Sequence, residues 1–271
     1  MPTAPINGID INYEVAGDGP TVVLLHGLMG SIERSRAVGE GLDGLDERGF
    51  RLVTYDARGH GASGFTENEA DYTWEAHARD LRGLLDHLAI ERAAIGGGSM
   101  GAGVSYTLAL AQPERVEKLI LLALPPLAEG FEPAKQMFGG FAQLIEALGL
   151  EKAVDIVMQL PEYVKMREGD PEEFERLREW LLRMQPRGII FAMRGLVNGP
   201  PLAHERFDEI AVPTLITAHP DDLLHPIESG QRAHAAIAGS RLMVAPSLLH
   251  YRDHRDELLD GVAAFLRSEE A

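Results

Sequence analysis

The feature that most constrains this chain is an alternation. Short, mostly apolar runs are separated by segments whose apolar residues recur at helical spacing. Thr21–Leu25 and Arg51–Tyr55 are two such runs, residues 93–95 form a third and residues 116–124 a fourth. A strand that is apolar on both faces is one that is covered on both faces, as in a parallel sheet. Between the second and third runs, Trp74, Ala78, Leu81, Leu85 and Leu88 fall on one side of a helix. A small-residue helix over residues 101–111 separates the third run from the fourth. It stops before Gln112-Pro113, because a residue preceding proline is pushed out of the helical region. This order predicts an α/β architecture, a mostly parallel central sheet flanked by helices. At the N-terminal edge, Asn7-Gly8 is a hairpin signal, followed by Ile9, Ile11 and Tyr13 alternating with polar residues.

The alternation is interrupted once. Residues 125–207 hold no clear strand and several helix candidates. The clearest begins at Asp170-Pro171-Glu172-Glu173, where Asp caps, Pro takes the first helical position and two carboxylates face the positive helix end. Strand and helix then resume with Thr214–Ala218, a helix over 227–238, a strand over 241–245 and a last helix through Leu258, Val262 and Leu266. A stretch of that length is too long for a plain connection in a compact domain. The expectation is a core built from residues 1–124 and 208–271, with residues 125–207 inserted as a helical cap.

Composition removes several function classes. A net charge of −17 argues against non-specific binding to nucleic acid and against docking on anionic lipid. The chain has no cysteine, which excludes disulfides, thiolate metal sites and cysteine nucleophiles. Its N-terminus, Met1-Pro2-Thr3-Ala4-Pro5, lacks the basic region and apolar run of a signal peptide, and no apolar run is long enough to span a bilayer. A cytoplasmic protein with a small-molecule partner is expected, without nucleic acid or membrane.

The third apolar run enters Gly97-Gly98-Ser99-Met100-Gly101, and a helix follows. In Gly-x-Ser-x-Gly the glycines permit a strained strand-to-helix turn that lifts the serine above the sheet. A serine hydroxyl is a weak nucleophile, so it needs a base, a group to orient that base, and donors for the developing oxyanion. Ser99 is the expected nucleophile, with the Met100 backbone N–H as one oxyanion donor. Neither a phosphate-binding G-x-x-x-x-G-K-[ST] pattern nor a metal spacing of histidines with carboxylates accompanies it, so no cofactor and no metal are expected.

Three segments together carry a resemblance: His26-Gly27-Leu28 after the first run, Asp56-x-Arg58-Gly59-x-Gly61-x-Ser63 after the second, and the Ser99 turn. The chain resembles the α/β-hydrolase superfamily, and within it the cofactor-free esterase, lactonase and perhydrolase-like members with a helical cap. The resemblance implies the α/β-hydrolase fold and a serine carboxylic ester hydrolase with the order nucleophile, acid, histidine. It places the acid just past the strand Thr214–Ala218, four residues before a proline, which selects Asp222 with Asp221 as the alternative. It places the histidine after the last strand, at His250, with His254 as the rival. The second oxyanion donor becomes the Leu28 N–H, and His26 is expected to orient that loop. On the same plan His219 and His225 stand too close in sequence to Asp222 to supply the base. Lactone opening, C–C bond hydrolysis and perhydrolysis use the same residues, and a non-catalytic ligand-binding receptor shares the fold. Phe131, Met137, Phe138, Phe141, Met158, Met166, Phe191 and Met193 are the apolar residues from which the inserted segment would build a substrate pocket.

Overall fold

The computed structural model describes residues 1–38, 42–247 and 249–269. Eight strands form one sheet: β1 (Thr3–Ile6), β2 (Ile9–Ala16), β3 (Thr21–Leu25), β4 (Arg51–Tyr55), β5 (Ala93–Gly98), β6 (Val116–Leu122), β7 (Thr214–Ala218) and β8 (Arg241–Val244). Their spatial order is β1-β2-β4-β3-β5-β6-β7-β8. β1 and β2 form the antiparallel hairpin that Asn7-Gly8 predicts, and β2 also runs antiparallel to β4. From β4 to β8 every pair is parallel.

The helices are α1 (Ile32–Val38), α2 (Trp74–His87), α3 (Met100–Ala111), α4 (Phe131–Leu148), α5 (Leu150–Val157), α6 (Pro161–Gly169), α7 (Pro171–Leu182), α8 (Pro186–Asn198), α9 (Ile227–Ala236), α10 (His250–Asp253) and α11 (Arg255–Arg267). Successive residues of one strand serve opposite faces. Val23 and Leu25 of β3 join Leu81 and Leu85 of α2 and Val104 and Leu108 of α3. Val22 and Leu24 join Leu258, Val262 and Phe265 of α11 on the other face. This period of two is the pleat itself, and it makes Val22 to Leu25 of β3 apolar without a break.

One buried charge ties the layers together. Lys118 on β6 donates from Nζ to the carbonyls of Phe265 at 2.8 Å, Leu266 at 3.1 Å and Ser268 at 2.6 Å. These lie at the end of α11, where carbonyls lack helical partners and a cation is favoured.

Helices α4 to α8 all lie between β6 and β7 in the chain and share a cluster of their own. Phe141 and Ile145 of α4 meet Val154 of α5, Phe174 and Leu181 of α7, and Ile189 and Met193 of α8. Leu28 and Met29, from the loop after β3, pack against this cluster. Asp170 caps α7 by accepting from the Glu173 N–H at 3.0 Å, as the Asp-Pro-Glu-Glu pattern predicts.

The crossing of β5 into α3 is where packing is tightest. A Cβ placed on Gly97 would stand 2.2 Å from the Leu25 carbonyl oxygen, and one on Gly101 would stand 2.0 Å from the same atom. Backbone cannot withdraw as a flexible side chain can. We therefore expect Gly101→Ala to cost about 3 kcal/mol or more, lowering the melting temperature by roughly 6–12 °C. Gly139 in α4 is the control, since nothing lies within 4 Å of its added Cβ. Gly139→Ala should stabilise by about 0.5–1 kcal/mol through helix propensity. Thermal unfolding of the two variants reads both signs.

Candidate active site

Ser99 caps α3 with φ 52° and ψ −112°. A non-glycine residue held there is strained, and such strain persists only where the surroundings enforce it. Here the enforcement is visible: the Ser99 N–H donates to the Leu122 carbonyl at 2.9 Å, and the Ser99 carbonyl accepts from the Gly103 N–H at 3.1 Å. The turn brings Ser99 into the lining of a cleft of about 410 Å³. Leu28, Met100, Trp74, Phe131 and Phe138 line it as well, with His225 on its wall.

Two backbone donors flank the serine. Among the described residues, the N–H groups of Leu28 and Met100 find no backbone or side-chain acceptor, and both residues line the cleft. Met100 opens α3, whose first N–H groups have no partner within the helix. Leu28 sits in a loop that is firmly braced. The Ala57 N–H donates to His26 Nε2 at 3.0 Å, so Nδ1 carries the proton and donates to the Gly27 carbonyl at 2.7 Å. Burial lowers the His26 pKa to about 4, against a raising contribution from the Gly27 bond, and keeps the ring neutral. Met29 follows at φ 65°, and Trp180 of α7 donates to its carbonyl at 3.1 Å. Helix α7 thus holds the loop on one side and His26 holds it on the other.

The Asp56 to Ser63 segment is also braced, without entering the cleft lining. Asp56 accepts from Asn12 Nδ2 at 2.7 Å and from the N–H groups of Ile32 at 2.8 Å and Ala62 at 2.9 Å. Arg58 makes a buried two-point pair with Asp80 at 2.6 and 2.8 Å.

Behind His225 lies Asp222. Its Oδ2 accepts from His225 Nδ1 at 2.7 Å and from His219 Nε2 at 2.9 Å. Its Oδ1 accepts from the N–H groups of Leu224 at 2.8 Å and His225 at 3.2 Å. Burial pushes the carboxyl pKa up, but the bonds from the two histidines and the positive potential of His225 outweigh it and hold the group well below the usual carboxylate range. Asp221, the neighbouring alternative, is exposed in a left-handed turn at φ 62°.

His250 is placed elsewhere, and so is its rival. The expected loop histidine is instead the first residue of α10, where its Nε2 meets Glu257 Oε2 at 3.0 Å. Its ring stacks on His254 one turn later, with centroids 4.5 Å apart. His254 Nδ1 bonds the His250 carbonyl at 3.1 Å, and the residue itself stands at the N-cap position of α11. The structure thus joins neither histidine to Asp222 or Ser99: helix α10 starting at His250 carries its ring toward the last helix. Leu248 lies outside the described residues.

The structure instead places Ser99 and His225 in the lining of one cleft, with Asp222 bonded to His225 behind it. Sequence reasoning set His225 aside as too close in sequence to Asp222. The three-residue spacing of His219, Asp222 and His225 gave no sign that the three side chains converge. The apolar residues of helices α4 to α8 divide as well. Phe131 and Phe138 reach the cleft, Phe141, Met158 and Met193 are buried in the cluster these helices share, and Met137 is exposed. Among the described residues, no helix is long and apolar enough to cross a membrane.

Comparison with known proteins agrees with this architecture. The family model described as alpha/beta hydrolase fold matches residues 20–153. The chain is 28% identical to the 2-hydroxy-6-oxononadienedioate/2-hydroxy-6-oxononatrienedioate hydrolase of Klebsiella pneumoniae, over 94% of this chain and 90% of that one. Its fold matches an enol-lactonase from Burkholderia xenovorans LB400 with TM-score 0.80 at 24% identity, covering 98% and 100% of the two chains. A thermophilic esterase from Thermogutta terrifontis matches with TM-score 0.77 at 25% identity, covering 98% and 96%.

Proposed function

Because this chain belongs to the α/β-hydrolase superfamily, we propose that it is a serine hydrolase cleaving small to medium, uncharged carboxylic esters through an acyl-enzyme. One observation carries this reading: Ser99 and His225 line the same apolar cleft, and His225 is bonded through Nδ1 to Asp222. With Nδ1 committed, Nε2 is the nitrogen left to take a proton. Ser99 Oγ attacks the ester carbonyl carbon and its proton passes to His225 Nε2. Asp222 holds the tautomer and stabilises the imidazolium. The Leu28 and Met100 N–H groups receive the oxyanion. Collapse of the tetrahedral intermediate expels the alcohol, which takes the proton from His225. Water then attacks the acyl-enzyme with the same base, releasing the acid and restoring Ser99.

The cleft also speaks to the substrate. Among the described residues its lining includes no Lys, Arg, Asp or Glu. The Klebsiella relative is named for a dioate substrate, and two carboxylates brought into this cleft would be desolvated without a cation to meet them. An uncharged ester or lactone with an apolar acyl or alcohol part fits better.

A second reading keeps His250 as the base. Its position directly after β8 favours it, since nucleophile, acid and histidine then follow the chain order of the superfamily. It requires His250 to leave Glu257 and cross to Asp222. Alanine variants separate the two readings on a p-nitrophenyl ester. We expect His225→Ala to lose at least about 10³-fold in kcat/KM, and His250→Ala to stay within about tenfold of the unsubstituted protein. The reverse pattern would assign the base to His250.

A further inference from the structure

We propose that His219, Asp222 and His225 form a binding site for one divalent transition ion of the zinc type, and that filling it switches hydrolysis off. His219 Nε2, an Asp222 carboxylate oxygen and His225 Nδ1 all lie within 4.8 Å of one another. The two nitrogens stand 2.9 Å and 2.7 Å from the same oxygen, Oδ2. Ligands on a tetrahedral zinc ion, at about 2.0–2.1 Å from the metal, lie about 3.4 Å apart. A modest opening of the group therefore admits an ion. Binding exchanges two N–H···O bonds for two nitrogen–metal bonds, and the displaced protons move to the other ring nitrogens or to solvent.

The donor set decides the class of ion. Two imidazoles and one carboxylate suit zinc, cobalt or nickel, whereas magnesium and calcium seek oxygen. Three protein ligands leave a fourth position open. The support behind the ligands is already built. Asp222 Oδ1 is fixed by the Leu224 and His225 N–H groups, which leaves Oδ2 as the ligand atom. His219 is buried at the end of β7, and Pro226 immediately precedes α9, so both ends of the loop are anchored.

The inhibitory half rests on the function proposed above. The ion would take Oδ2 of Asp222 and Nδ1 of His225, the two atoms whose bond orients the base. A base at His250 would lose Asp222 equally.

Binding and turnover are measured separately. Protein stripped with EDTA is titrated with Zn²⁺ by calorimetry and with Co²⁺ by visible absorption. One ion per chain is expected, with the absorption of low-coordinate Co²⁺. His219→Ala should weaken binding at least tenfold. His219→Gln, which still donates to Asp222 but ligates poorly, should do the same if the alanine variant misfolds. His234→Ala, exposed on α9, should bind as the unsubstituted chain does. Ester turnover should fall with the same midpoint and return with EDTA. Absence of saturable binding, or binding unaffected by either His219 variant, overturns the site. Saturable binding with undiminished turnover overturns the inhibition and leaves the ion site. If the metal-free protein turns over no ester, the binding titration still decides the site, and the failure falls on the proposed function.

Discussion

Ser99→Ala is expected to lower kcat on a p-nitrophenyl ester by about 10⁴- to 10⁶-fold, with a melting temperature within about 2 °C of the unsubstituted chain. The size follows from what the hydroxyl does. Without it no acyl-enzyme forms, and what remains is the weaker assistance of the Leu28 and Met100 donors and of binding in the cleft. The small change in stability follows from where the turn gets its support. It is held by the Ser99 backbone bonds to Leu122 and Gly103 and by the close approach of Gly97 and Gly101 to Leu25, none of which involves Oγ. Turnover and thermal unfolding of one preparation therefore separate a chemical loss from a folding loss. Near-normal turnover in the alanine variant would remove Ser99 from the chemistry.

The second large effect is acid instability. His60 and His77 are buried, and burial is the main cause holding both below the ordinary histidine range, His60 at about 3. Each ring has an Nε2 with no hydrogen-bond partner among the described residues. His26 lies 5.1 Å from His60 between ring centroids, so a proton on one disfavours a proton on the other. Unfolding returns these rings to water, where they take up protons below about pH 6.5. The unfolded state then binds more protons than the folded state, and stability falls as pH drops. Their stabilisation is complete above about pH 6.5 and is lost progressively toward the folded pKa values. His60 and His77 together contribute a slope that rises between pH 6 and 5 toward a limit of about 2.7 kcal/mol per pH unit. His26, lowered to about 4 by burial, adds in the same direction. Asp222, held low by its histidines, adds a loss in the same direction below about pH 4. Urea unfolding at pH 7.5, 6 and 5 measures the slope, and His77→Gln should reduce it by about 1.4 kcal/mol per pH unit. Stability that is flat from pH 7.5 to 5 would contradict the burial of these rings.

What could be read in advance follows physical lines. β3 and the β5–α3 turn were legible because burial on both faces makes Val22 to Leu25 apolar without a break, and because only glycine fits at 97 and 101 against the Leu25 carbonyl. The proposed nucleophile sits on that turn, so its position is fixed by local geometry. The base is not a local property. Whether His225 or His250 faces Ser99 depends on the closure of the loop from His219 to Pro226 and on where α10 begins. Neither leaves a periodic trace. A three-residue spacing in a loop carries no information about convergence, so the grouping of His219, Asp222 and His225 was visible only once the turn at Asp221 was seen. The apolar residues of α4 show the same limit. Phe138 and Phe141 are equally hydrophobic and lie one turn apart on α4, yet one reaches the cleft and the other fills the helical core.

The central claim is that Ser99 becomes covalently bonded during turnover. A fluorophosphonate, which traps an activated serine as a stable adduct, tests it without knowledge of the natural substrate. Intact-mass measurement after labelling should show one adduct per chain, peptide mapping should place it on Ser99, and Ser99→Ala should take up none. An adduct on another residue, or unmodified protein under conditions in which ester turnover proceeds, would contradict the account.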